Sequence, residues 1–299
     1  MSKKTMKHWL LIMLAVSLSV SLSFPAARAA DVVHVQSGSS IQTAIDAAAA
    51  GTTIELAKGK WRETLRISKS ISILGTGATD TIIRGTLDGH PVISISPEGV
   101  QTVSVTISGI AVSAGGSNCA DVGVCADGIL ASGRARITVD DVTITGSYAG
   151  IRLTSYAEAT ITRSILFDNT YGVIISGLAK AKITYCTISE NGEDGVIIAD
   201  YARVKLSDNN IVNNGRTGIS VDLPACYNTT RSFNGLIIGD NNTIPGPSED
   251  DGNVIAVCPS GLSVIATRVG GFYPAAAAET LLSLLPAAPP MEGDEDAPV

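Results

Sequence analysis

GIRLTSYAEATITRSILFDNTY (residues 150–171), followed at once by GVII (172–175), carries one full period of this chain. Inside it three short apolar runs, Ile151 to Leu153, Ala159 to Ile161 and Ile165 to Phe167, are separated by small and polar residues. Val173 to Ile175 then begins the next period. The same start, glycine followed by Ile or Val, recurs at Gly128-Ile129, Gly150-Ile151, Gly172-Val173, Gly195-Val196 and Gly218-Ile219, at spacings of 22, 22, 23 and 23 residues. Leucine-rich repeats share this range of periods. Here, however, there is no Leu ladder and no helical periodicity, and runs of Ile, Val and Thr bounded by Gly, Asn and Ser read as strands and corners. Three strands per period, each meeting its counterpart one strand spacing away in the next, make a parallel β-solenoid.

Composition agrees with that reading. A coil buries its inward side chains only by stacking on its neighbours, so the interior takes small or β-branched residues and the corners are expected to need glycine. Aromatic residues make up 4% of the chain and glycines number 30, whereas a conventional globular core carries more large aromatic packing.

The two ends depart from the repeat. Residues 1–30 read as a secretory signal: Lys3, Lys4 and Lys7 precede an apolar run from Trp9 to Leu22, and Ala27-Arg28-Ala29 supplies a small-x-small cleavage site. The protein is therefore expected to be secreted, extracellular or periplasmic. Losing Lys3, Lys4, Lys7 and Arg28 takes the formal net charge from −7 to −11. That acidity disfavours nucleic acid and anionic membrane as partners. Next, Ile41, Ala44, Ile45 and Ala48 fall on one helical face, with Ser39 or Ser40 as N-cap and Gly51 as the stop. A short helix there protects the open edge of the first coil. At the other end, residues 275–285 are expected to form a helical turn or two, and 286–299, rich in Pro, Ala and acid, to be disordered. The organisation is thus a signal at 1–30, a solenoid domain at 31–273 and an acidic low-complexity tail at 274–299.

One order of residues is familiar: Ile41-Gln42-Thr43-Ala44-Ile45-Asp46-Ala47-Ala48, Gly51, a strand, Gly59-Lys60-Trp61-Arg62-Glu63, a strand, then Ser70-Ile71-Ser72-Ile73-Leu74-Gly75. It resembles the N-terminal part of secreted right-handed parallel β-helix proteins of the pectin-lyase-like superfamily, which includes pectin esterases, polyuronate lyases and epimerases. The later units, such as Asn191-Gly192-Glu193-Asp194-Gly195-Val196, are similar to the repeats of that superfamily and of a periplasmic copper-assembly protein. The resemblance implies an all-β fold, a single-stranded right-handed parallel β-helix with an N-terminal capping helix. It does not imply an activity. The Gly-His-Gly element of polygalacturonases and the Asp-Pro-His-Asp stretch of epimerases are absent from this sequence, and no catalytic residue carries over. A copper-handling role is disfavoured, since the chain after residue 30 has only His34 and His90.

Five cysteines in an exported chain point to disulfides. Cys119 and Cys125 share one irregular insertion, Cys226 and Cys258 flank another, and these four are the disulfide candidates; Cys186, inside a regular coil, is expected to be buried and free.

Chemistry is read from position. If Ile137 and Val139 face inward, Arg136, Thr138 and Asp140 face outward. Shifting by 22, 22 and 21 residues aligns Arg136, Glu158 and Lys180; Thr138, Thr160, Lys182 and Arg203; and Asp140, Thr162, Thr184 and Lys205. Lys180, Lys182, Arg203 and Lys205 then form a cationic patch able to bind an acidic polysaccharide, or to keep exposed strands soluble. Asp194, Asp200 and Asp222, beside the glycine corners, are candidates for calcium, the one cofactor considered, or for ordinary turn-forming carboxylates. Asn169, Asn191 and Asn214 recur at the repeat spacing and are expected to bond along the stack. Tyr156 and Tyr201 are placed to stack on sugar rings or to pack. The irregular loops at 113–127 and 224–253 are where a specific site would be elaborated. Three functions stay open: binding of an extracellular polysaccharide, a lyase or epimerase acting on one, and a structural or adhesive solenoid. The oligomeric state is not readable from the sequence.

Overall fold

The computed structural model describes residues 31–86, 89–114, 126–222, 236–240, 242–244, 255–257 and 262–263. The expectations for residues 1–30, for the tail and for Cys119, Cys125, Cys226 and Cys258 lie outside these described residues.

The chain winds as a β-helix with three faces. Face A stacks Val32–Val35, Thr53–Leu56, Ile71–Leu74, the first half of Val103–Ser113, the first half of Ala135–Thr145, Glu158–Thr162, Lys180–Thr184, Arg203–Ser207 and Leu236–Asp240, all parallel. Face B stacks Gly59–Arg62, Thr81–Arg84, the second halves of the two long strands, Ile165–Phe167, Thr187–Ser189 and Asn210–Val212. Face C runs from Leu65–Ile67 through Ile93–Ile95, Ile129–Ala131, Ala149–Leu153, Tyr171–Ile175, Val196–Ala199 and Ile219–Asp222 to Ile255–Val257, where Leu262–Ser263 adds an antiparallel strand. Inward residues repeat at each level: Ile137, Ala159, Ala181 and Val204 stack in register on face A, and Ile151, Val173, Val196 and Ile219 on face C, all buried. Each buried Ile or Val of these columns contributes about 1.5–3 kcal/mol.

Every corner from Gly133 to Asn213 is closed by one residue with positive φ. Gly133, Ser155, Gly177 and Asp200 turn face C into the next face A; Asp141, Arg163, Tyr185 and Asp208 turn A into B; Gly146, Asp168, Glu190 and Asn213 turn B into C. Nine of the twelve are not glycine. The repeat glycines serve another purpose. A Cβ on Gly172 would lie 2.3 Å from the Gly195 carbonyl oxygen and 2.5 Å from an Ile188 methyl. These glycines are needed for close approach between coils, which corrects the expectation that the corners require glycine.

Helix α1 (Ile41–Ala47) buries Ile41 and Ile45 over the first coil and is capped by Ser40, whose hydroxyl accepts from the Thr43 N–H. It ends at Ala47, before Gly51, the expected stop. The next coil ties down both ends. The Glu63 carboxylate accepts from the Ile41 and Gln42 N–H groups at 3.1 and 3.0 Å, Trp61 Nε1 donates to the Ser39 carbonyl, and Lys69 Nζ donates to the Asp46 and Ala48 carbonyls. The Gly-x-aromatic-x-Glu order thus has a mechanical meaning: its Trp and Glu clamp the cap.

Candidate binding face

Face A presents the charged columns, in a register that differs from the sequence expectation. Lys180 pairs with Arg203, and Lys182 pairs with Lys205. The shift between these coils is therefore 23 residues where 21 was expected. The added residue sits at the B-to-C corner, where four positions separate Asn191 from Gly195 but three separate Asn169 from Gly172. The observed columns are Ser104, Arg136, Glu158, Lys180 and Arg203, then Thr106, Thr138, Thr160, Lys182 and Lys205. The third column, Asp140, Thr162, Thr184 and Ser207, is turned toward the corner, with Thr184 and Ser207 buried. The four predicted cations are brought together as a two-by-two block on adjacent coils, about 4.8 Å apart along the stack.

The block is not uniform. Glu158 receives Arg136 Nε and Lys180 Nζ, each at 3.0 Å. Burial pushes the Glu158 carboxyl up, but Lys180 and Arg136 together outweigh it and hold the pKa below the usual carboxylate range. Lys182 and Lys205 are exposed and, among the described residues, have no carboxylate partner. Thr106, Arg136, Thr138, Glu158, Thr160, Lys180 and Lys182 line a shallow groove of about 410 Å³ on this face.

The corner that leads into these strands is apolar on its outside. The C-to-A corner repeats the triplets Ser155-Tyr156-Ala157, Gly177-Leu178-Ala179 and Asp200-Tyr201-Ala202. In each the first residue is left-handed, the alanine is buried, and the middle side chain stands out into solvent. The Leu178 N–H donates to the Ser155 carbonyl at 2.8 Å and the Tyr201 N–H to the Gly177 carbonyl at 2.9 Å, which stacks Tyr156, Leu178 and Tyr201 as one ridge. Sequence reading singled out both tyrosines but missed the leucine between them.

The B-to-C corner is built the other way. Asn169, Asn191 and Asn214 point inward, and Nδ2 of each rung donates to the Oδ1 of the next at 3.1 and 2.8 Å, as expected. A second ladder was not foreseen. At the A-to-B corner Asn242 Oδ1 accepts from Asn209, and Asn209 Oδ1 accepts from the Cys186 N–H at 3.0 Å. Cys186 is a buried, free rung whose Sγ lies 3.3 Å from the Thr184 carbonyl, and burial pushes its thiol up to about 11.

The calcium candidates do not converge. Asp194 is fully buried and engaged by the Arg216 guanidinium and the Thr217 hydroxyl; Asp194 in turn raises the Arg216 pKa. The Asp200 carboxylate accepts from the Gly177 N–H at 2.9 Å as a corner former. Asp222 pairs in register with Ala199, so Asp200 and Asp222 do not share a column. Among the described residues no three His, Cys, Asp or Glu side chains cluster as a metal site. A further pair joins coils on the outside of face C: Arg152 reaches Asp127 at 2.8 Å and lies 5.1 Å from the Tyr148 ring centroid. Most of the loops at 113–127 and 224–253 lies outside the described residues. No helix of the described residues is long and apolar enough to cross a membrane.

Residues 93–246 match the family described as the right-handed β-helix region. No curated protein matches the sequence. An alginate lyase from Paenibacillus sp. str. FPU-7 superposes with a TM-score of 0.58 at 13% identity, over 82% of this chain and 96% of that one. A mannuronan C-5 epimerase A-module from Azotobacter vinelandii gives 0.43 at 16% identity, over 77% of this chain and 80% of that one. A pectate lyase gives 0.42 at 13% identity, over 82% of this chain and 78% of that one. At such identities the likeness is one of fold.

Proposed function

The chain belongs to the right-handed β-helix family, and from that premise we propose that it binds an acidic extracellular polysaccharide laid along face A. The observation that carries the reading is the Lys182–Lys205 pair: two exposed ammonium groups stacked on adjacent coils with no carboxylate partner among the described residues, on a chain of formal net charge −7. Like charges set side by side destabilise a sheet unless an anion joins them. A polyanion with one charge per sugar supplies counter-charges at a spacing close to that of the coils. The superposed alginate lyase acts on a polymer of this class, and the acidity of the rest of the chain keeps such a polymer to the cationic block. Export, read from residues 1–30, belongs to the same proposal and puts the protein where such polymers occur.

Affinity electrophoresis in gels containing polyuronate or neutral dextran tests this. Retardation by polyuronate alone, lost in Lys182→Glu/Lys205→Glu, is expected; equal mobility of both proteins in both gels would refute it. A second reading, elimination or epimerisation of the bound chain, is favoured by the alginate-lyase superposition, which spans nearly the whole of that enzyme. It predicts new absorbance from unsaturated uronates, or changed sugar stereochemistry, when the protein is incubated with the polymer.

A further inference from the structure

Two surfaces meet at the C-to-A corner: the cation block of face A and the ridge of Tyr156, Leu178 and Tyr201, 58%, 46% and 49% exposed. Exposed large apolar side chains stacked on three successive coils are costly to leave in water. They are not needed to close the corner, because the left-handed residue and the buried alanine of each triplet do that, and at the preceding coil Arg134 stands at the position of Tyr156. The ridge lies two residues before the outward column of Glu158, Lys180 and Arg203, so one ligand can touch both. The tyrosines are two coils apart, about 10 Å along the axis.

We infer that Tyr156 and Tyr201 are the sugar-recognising half of the binding face, stacking on the apolar faces of rings two units apart in a polysaccharide that runs parallel to the solenoid axis. This rests on the face A reading and adds selectivity to it. The lysines recognise negative charge of any origin, whereas the ridge requires a ring with a C–H face. The occupant is therefore a linear polyuronate, in preference to a flexible polyanion without rings. Leu178, between the tyrosines, packs against the linkage.

Two probes of similar charge density, polyuronate and poly-L-glutamate, separate the two halves by titration calorimetry. The native protein is expected to bind polyuronate about tenfold more tightly than polyglutamate. Tyr156→Ala/Tyr201→Ala is expected to bring polyuronate down to the polyglutamate level and leave polyglutamate unchanged, and Tyr156→Phe/Tyr201→Phe to keep the preference. Lys182→Glu/Lys205→Glu is expected to lose both ligands. Unchanged polyuronate affinity in the alanine variant would overturn the ridge inference while leaving the lysines in place. Native protein that binds neither probe would overturn the binding face itself, and the inference with it. Because both tyrosines are exposed, the alanine variant should melt with the native protein, and coincident melting curves check that any loss is one of recognition.

Discussion

The B-to-C and C-to-A corners solve the same turning problem and use their side chains in opposite directions. Both close with a left-handed residue at each level, Asp168, Glu190 and Asn213 in one and Ser155, Gly177 and Asp200 in the other. At the B-to-C corner the following positions turn inward: Asn169, Asn191 and Asn214 are buried, and each rung bonds to the next and to a backbone carbonyl. At the C-to-A corner they turn outward as Tyr156, Leu178 and Tyr201. A solenoid must fasten its coils somewhere, because each coil lacks a core of its own. Once one edge carries that fastening, another is released for recognition.

The largest test strikes the fastened edge. Asn191→Ala removes the acceptor of the Asn169 N–H and one acceptor of Asn169 Nδ2, which keeps the Ile144 and Phe167 carbonyls, and the one buried donor left unmet costs about 1–3 kcal/mol. Gly172→Ala drives a methyl into the Gly195 carbonyl and costs about as much. Both should lower the urea midpoint at constant m, with polyuronate affinity per folded molecule unchanged. An Asn191→Ala protein with native stability would mean that the ladder is not the fastening.

Next comes the released side. Lys182→Glu/Lys205→Glu should weaken polyuronate binding by about a hundredfold, since hydrogen bonds to charged groups contribute about 1.5–3 kcal/mol each. Its stability should stay within about 0.5 kcal/mol of native, as for other exposed sites. A variant that lost stability and kept affinity would invert the comparison.

A pH titration probes the A-to-B corner. The Cys186 thiol is raised from 9.0 to about 11 in the folded protein by burial. Protons are then bound more tightly in the folded state, so this contribution to stability is complete below pH 9 and declines as pH rises toward 11. Cys186→Ser, which places at this rung the residue found one coil earlier at Ser164, should flatten that decline. The native thiol should resist alkylation until the protein is unfolded. The smallest effect is expected at Tyr185, a bulky residue held at φ 58: Tyr185→Gly relieves about 1–2 kcal/mol of backbone strain. Greater freedom of the unfolded chain offsets most of it, leaving a net change of about 1 kcal/mol or less.

Much of this architecture is legible in the sequence, for definite reasons. The glycine spacing marks the coils because a Cβ at Gly150, Gly172 or Gly195 would strike the next coil's carbonyl, so the period is written in one residue type. The Asn169 ladder is legible for the same reason. The register between Lys182 and Lys205 is not, because the added residue hides in a corner, and aligning charges in place of glycines slips the count. The second ladder is obscured because its column holds Cys186, Asn209 and Asn242, with 33 residues between the last two. The ridge escapes because Tyr, Leu and Tyr share no residue type; only the buried alanine after each of them repeats.

The most direct test of the account is a lysine footprint: acetylate the protein with and without bound polyuronate and quantify each lysine by mass spectrometry. The account predicts that Lys182 and Lys205 on face A are protected, while Lys58 and Lys60, on the first coils and away from that block, react at the same rate in both samples. Equal reactivity of Lys182 and Lys205 in both samples, under conditions where the polymer is bound, would contradict it.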